Sequence, residues 1–369
     1  MSSKLKDTFL QLVRLGIGHT ESTEITEKVD WVALKALAER QGLSAIVLDG
    51  IDKLNTNIPN RTNELPLQMK LEWIGDVLQD YEGRYAAYEK AIGSLAEWYN
   101  QHRFKMMVLK GYACSLDWPK PEHRPCGDID IWLFGQQKEA DEILANTNFS
   151  NITNKIEIDN SHHHHTVFDW QGFMVENHYD FINVHHHKSH VKVEKILKAY
   201  GDDDSHSVLV CGEKMYLPSP NLHALFLIRH MMSHFAAAEI SLRQVLDWAF
   251  FMEKQGKQVD WDKVLQVYDE FGMREFFNII NAICVNDLGF RAEIFPYVQY
   301  NSILKERVLN DIMSPEFAEE MPKRFFARVL WKIRRWKANE WKHKLCYKES
   351  MWSAFWSGVW NHILKPKSI

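Results

Sequence analysis

Two carboxylates one residue apart inside an apolar run constrain this 369-residue chain more than any other feature. The stretch is Arg124-Pro-Cys-Gly-Asp-Ile-Asp-Ile-Trp132, preceded by Val108-Leu-Lys-Gly111. Ile129, Ile131 and Leu133 alternate with Asp128 and Asp130, the period-two pattern of a β-strand whose residues i and i+2 share a face. Two acids aimed together repel each other unless something cationic stands between them. Paired divalent cations about 3.5–4 Å apart, clamping a nucleotide's phosphates, are the usual occupants of such a site. Nucleotidyl or phosphoryl transfer is therefore the first reading. The plain alternative is a pair of solvent-facing acids on an edge strand. Against it, the flanking apolar residues imply a buried face, and Gly127 just before the pair predicts close backbone approach.

A strand-borne acid pair needs a third acid from a neighbouring strand, and Phe173-Met-Val-Glu-Asn-His-Tyr179 supplies one. Glu176 falls mid-strand, with His178 on the same face by the period of two. Lys110-Gly111 ends an apolar run and opens a short helix 17 residues before Asp128. Such a turn either binds phosphate through free backbone N–H groups or is a simple strand-to-helix connection. Arg124 either reaches phosphate or pairs with the acids. Arg243 and Asp247 are spaced i, i+4 and are expected to meet on one helical face, as a surface ion pair or with Arg243 free to reach a triphosphate.

The surrounding periodicity frames this strand. Leu5 to Leu15, Trp31 to Gln41 and about Leu65 to His102 show helical spacing, separated by a polar piece from Asn55 to Glu64. Phe104 to Leu109 and Asp128 to Phe134 read as strands, with a helix from Gln136 to about Thr147 following. Asn151 to Ile158, His163 to Trp170 and Phe173 to Ile182 read as strands, Gln171-Gly172 as a hairpin turn, and Ser207 to Leu217 as a last strand pair. From Pro220 onward the pattern is helical. The expected fold is α+β: a small mixed-sheet core at 104–218 with helices, between an N-terminal helical region at 1–103 and a C-terminal helical domain at 219–369.

Charge is uneven. Residues 321–369 hold 12 Lys/Arg against 2 Asp/Glu, although the whole chain is net -5. Trp352, Trp356 and Trp360 follow at one-turn spacing, a stripe expected to pack in the core. Its rival is a basic, Trp-rich contact with nucleic acid or a membrane surface. Five scattered cysteines without a C-x-x-C pair argue for reduced thiols and a cytoplasmic protein. No apolar run approaches a membrane span. His162 to His165 and His185 to His187 with His190 hint at a zinc or nickel site. Strand alternation would let only His163 and His165 act together, so a polar rim beside the cleft is the expected role, with His165 or His178 touching substrate.

The order L-K-G, R-x-x-G-D-I-D-I and V-E-x-H resembles the minimal nucleotidyltransferases of the DNA polymerase β superfamily, in particular their uncharacterised nucleotidyltransferase group. The likeness spans roughly residues 30–300. Leu109-Lys110-Gly111 stands where the superfamily carries Gly-Ser or Gly-Gly, with Tyr112 as a departure. The resemblance implies that Asp128, Asp130 and Glu176 hold two Mg²⁺, or Mn²⁺ in their place. Lys110, Gly111, Arg124, Gly127 and Arg243 would contact the nucleotide, and His178, His165 and Asp247 the substrate. The implied reaction moves an NMP from an NTP, ATP by default, to an acceptor hydroxyl with release of pyrophosphate. Two other classes compete: a non-catalytic nucleotide- or nucleic-acid-binding protein on the same fold, and a metal-binding regulator built on the histidines. Acceptor and oligomeric state are left open.

Overall fold

The computed structural model describes residues 2–350, apart from 22–24, 26–27, 58–63, 148–155, 186 and 297–298. The architecture is α+β. Six strands form one mixed sheet: β1 (Met107–Val108), β2 (Ile129–Trp132), β3 (His165–Trp170), β4 (Phe173–His178), β5 (Ser207–Val210) and β6 (Glu213–Tyr216). Their order across the sheet is β3-β4-β2-β1-β6-β5. β2 lies parallel to β4, β1 parallel to β6, and the remaining neighbours are antiparallel. Both hairpins turn through consecutive left-handed residues, Gln171-Gly172 and Cys211-Gly212, the geometry that matches strand twist.

The sheet separates two cores, and alternation sorts the strand residues between them. Val108, Ile129, Ile131, Phe168, Val175 and Met215 pack on one face with Tyr88, Ile92, Leu95 and Tyr99 from the helix Arg84–Gln101. Met107, Trp132 and Tyr216 point the other way, into a larger cluster shared with Phe226, Phe181 and Leu197. That cluster also takes in the N-terminal helices, through Phe9, Leu12 and Leu34, and the C-terminal helices, through Trp248 and Phe277.

The long helical stretch expected from Leu65 to His102 is present, as Leu67–Val77 and Arg84–Gln101 joined by a π-helical segment, Leu78–Gly83. Two helices were not legible beforehand: Ser44–Asn57 and Lys188–Gly201. Several strands are shorter than expected. The strand read at Asn151 to Ile158 falls largely outside the described residues, and at its end only the bridge Asp159–Val167 forms. β4 stops at His178 because the chain turns there: Tyr179 and Asp180 both donate their N–H to the His164 carbonyl at 3.0 Å. The tryptophan stripe at 352, 356 and 360 lies outside the described residues. No helix among the described residues is long and apolar enough to cross a membrane.

The helix Lys188–Gly201 holds the turn after β4 in place through Glu194 and through Lys198, which pairs with Asp180. Buried Glu194 accepts the N–H of Phe181 at 2.9 Å and of Ile182 at 3.0 Å. Burial pushes its carboxyl up to about 7, against the relief those two N–H groups provide. The folded state therefore holds this proton more tightly than the unfolded chain, and stability falls as pH rises from the ordinary carboxyl range to about 7. Urea unfolding should show that loss in the wild type, by about 3 kcal/mol at most, and a clearly flatter profile over the same window in Glu194→Gln.

Candidate active site

The parallel register of β2 and β4 sets Asp130 directly beside Glu176, and Trp132 beside His178. Alternation then places Asp130, Glu176 and His178 on the sheet face turned toward the helix Pro220–Ala237. Asp130 is 2% exposed and His178 1%, so their charges meet little water. His178 Nε2 stands 3.0 Å from Asp130 Oδ1 and 3.6 Å from Glu176 Oε2, while Nδ1 faces the Asp180 carbonyl at 3.1 Å. A second cation closes the cluster: Lys110 Nζ lies 2.5 Å from Asp130 Oδ1 and 5.8 Å from the centre of the Phe226 ring.

Protonation follows from this crowding. Burial would raise the Asp130 pKa, but Lys110 and His178 outweigh it and hold the group far below the carboxylate range. Asp128 moves upward, through burial and then the negative charge of Asp130. Two neighbouring acids whose affinities are driven apart are what like charges in one site produce. Burial opposes charge on Lys110 and on His178, yet the carboxylates raise both above their usual values. Glu176 is lowered: burial opposes its charge, and the His178 hydrogen bond dominates. Burial lowers His165 to about 4 and His164 to about 2.

Each expected site residue has a definite place. Asp128 precedes β2, and its backbone carbonyl accepts the Tyr88 hydroxyl at 2.7 Å. Lys110 begins a six-residue helix, Lys110–Ser115, with a left-handed φ of 37°. That unusual backbone accompanies a side chain aimed at the acids. Close approach occurs at Gly111, where a Cβ would sit 2.6 Å from the Tyr88 hydroxyl. Gly127 does not behave as expected: nothing beyond its chain neighbours would lie within 4 Å of its Cβ, because it stands exposed in the segment that leads into β2.

Arg124 pairs with neither Asp128 nor Asp130. Its Nε and Nη2 make a bidentate pair with Asp247 at 2.8 and 2.9 Å, where Trp118 Nε1 also donates at 2.9 Å. The Arg243–Asp247 pair expected from i, i+4 spacing is accordingly not formed, because Asp247 turns inward to Arg124. Arg243 instead donates to the Pro125 carbonyl at 3.4 Å and makes no ion pair among the described residues. Burial, then the nearby Arg124, lower its pKa.

The histidines depart furthest from expectation. β3 starts only at His165, so His162 to His164 precede the strand and alternation does not govern them. His164 and His165 converge on His178, with ring centres 5.5 and 5.3 Å from it. His230 and His234 add a second pair of imidazoles from the facing helix. They lie one turn apart with rings 4.3 Å from each other, below Phe226 on the helix that faces the sheet, and both feel the charges of Lys110 and Asp130. The spacing Phe226, His230, His234 is one helical face, a signal present in the sequence.

The donor set suits a divalent cation. Ligand atoms of Asp130, Glu176 and His178 all lie within 4.8 Å of one another, Asp128 adds a carboxylate at their margin, and carboxylate oxygens are the donors Mg²⁺ and Mn²⁺ take. An acid cluster on a mixed sheet with Lys110 against it is consistent with a nucleotidyltransferase-type fold. A family model described as uncharacterised nucleotidyltransferase matches residues 27–287, and the chain belongs to that family. No curated protein and no solved structure matches it.

Two substitutions probe the frame around these acids. Asp247→Ala leaves the buried Arg124 charge without its partner and should cost about 3–5 kcal/mol in chemical denaturation. The double change Arg124→Met/Asp247→Leu should recover most of that. Gly111→Ala should destabilise by about 1–3 kcal/mol through overpacking, and combining it with Tyr88→Phe, which removes the opposing oxygen, should restore part of the loss.

Proposed function

We propose that the protein transfers a nucleoside monophosphate from an NTP to an acceptor hydroxyl, releasing pyrophosphate, with two divalent cations of the magnesium class. The observation that carries the reading is the register pairing of Asp130 with Glu176, with Lys110 and Asp128 at the same cluster. Family membership supports the same chemistry.

Asp128, Asp130 and Glu176 would hold the metal ions, which supply charge neutralisation for the triphosphate and for the group that attacks it. The protein's own part is largely positioning. Lys110 carries a positive charge on a short helix beside the acids, and can move from Asp130 to a phosphate oxygen as the nucleotide enters. Arg243, without an ion pair among the described residues, would be the second cation to meet the β- and γ-phosphates. Glu176, less enclosed than Asp130, would accept the proton of the acceptor hydroxyl. His178 would hold Asp130 through its 3.0 Å contact, and Phe226, His230 and His234 lie on the helix that faces this side of the sheet.

The direct test incubates the protein with each labelled NTP and Mg²⁺ across a panel of hydroxyl acceptors, following label transfer and pyrophosphate. Asp128→Ala/Asp130→Ala should lower the rate by about 10³-fold or more, the scale seen when charge stabilisation is removed from a transition state. Equal behaviour of wild type and double variant over all four NTPs would overturn the reading. Tight Mg²⁺-dependent NTP binding without pyrophosphate release would favour a non-catalytic binding protein instead.

A further inference from the structure

His178 stands among both carboxylates and imidazoles: Asp130 and Glu176 lie beside it, and so do the rings of His164 and His165. Ligand atoms of His164, His165 and His178 lie within 4.8 Å of one another, a second grouping that shares only His178 with the acidic one. The rings of His164 and His165 meet edge to face with centres 4.3 Å apart. Nδ1 of each is buried without a hydrogen-bond partner. A buried polar atom left unpaired costs about 1–3 kcal/mol, so two of them side by side in a rigid turn call for a ligand.

The turn is rigid. The His164 carbonyl receives two N–H groups, and the Tyr179 hydroxyl donates to the His162 carbonyl at 2.9 Å. His178 also has the orientation that metal-binding histidines adopt: one ring nitrogen faces a backbone carbonyl, that of Asp180, which aims the other into the cluster.

We propose that His164, His165 and His178 form a nitrogen-donor site for a transition-metal ion of the zinc class, abutting the carboxylates of Asp130 and Glu176. Three imidazoles are a poor match for Mg²⁺, which demands oxygen, and a good one for Zn²⁺ or Co²⁺. Nitrogens bound tetrahedrally to one ion at about 2.1 Å stand about 3.4 Å apart, so the rings close by at most about 1.4 Å when the ion enters. Glu176 Oε1, 3.8 Å from His165 Nε2, is a fourth donor within reach. The cleft then offers a hard oxygen end and a softer nitrogen end, joined at His178. The nitrogen end would fix the β3–β4 edge and set the orientation of Glu176.

The test uses the full chain, free of any affinity tag and stripped with a chelator, titrated with Co²⁺ in excess Mg²⁺ while the visible d–d absorption is recorded. One equivalent of Co²⁺ with an imidazole-type band is expected, with affinity weakened about 10-fold or more in His164→Ala and in His165→Ala. Absence of the band, or an unchanged titration in both variants, overturns the site. Should the variants fold poorly, X-ray absorption on the zinc-loaded wild type decides: scattering from two or more imidazoles is expected, and one or none overturns it. The proposal shares a cleft with the transfer reading without depending on it. Pyrophosphate release with Mg²⁺ alone reports on transfer, and Co²⁺ binding reports on the histidines, so either can fail while the other stands.

Discussion

Everything in this molecule that bears on chemistry depends on holding Asp130 and Glu176 side by side in a nearly dry sheet face. Adjacent buried carboxylates are unstable unless cations and hydrogen-bond donors surround them. The fold provides both. Lys110 comes from the end of β1, His178 from the next position on the same face of β4, and each touches Asp130. The price is a strained backbone at Lys110, whose positive φ serves no turn that a glycine could not make. Strain of that kind persists only where the surroundings over-determine it.

The layers behind the acids give this arrangement its stiffness. Asn177 points away from the acids and binds Asp141 at 2.8 Å, and Thr166 on β3 binds the same carboxylate at 2.7 Å. The pairing of β3 with β4 is thus locked on the face opposite the acids. In front, Glu194 fixes the turn that offers the Asp180 carbonyl to His178. Around the rim, the Arg124–Asp247 pair ties the loop before β2 to the C-terminal helices. A single ion pair buried this deeply does little for net stability; here it fixes where the loop carrying Asp128 begins.

Much of the fold was legible because strands and helices of this chain are strongly patterned. The α+β class, the hairpin at Gln171-Gly172, the acid strand and the long helix before it all follow from periodicity and turn chemistry. The helix Ser44–Asn57 opens on the unbroken apolar run Ala45-Ile-Val-Leu48 and carries Gly50, which blurs its helical period, and Lys188–Gly201 follows directly on a run of histidines that carries no apolar period. Arg243 and Asp247 show the limit of local reasoning. Spacing of i, i+4 puts two side chains within reach, but a bidentate guanidinium from 123 residues earlier is a better partner for Asp247 than a monodentate neighbour on its own helix.

By itself the sequence determined which residues share a face: Asp128 with Asp130, Glu176 with His178, Phe226 with His230 and His234. Those relations are local, set by the periods of strand and helix. Only the tertiary structure decided which strands are neighbours and in what register. It therefore decided that Asp130 meets Glu176, that Lys110 turns into the acids, and that His164, just before β3, joins His165, paired with His178 in the ladder, in converging on His178. Register and long-range pairing arise from burying two different cores on the two faces of one sheet, and no short stretch of sequence carries that information.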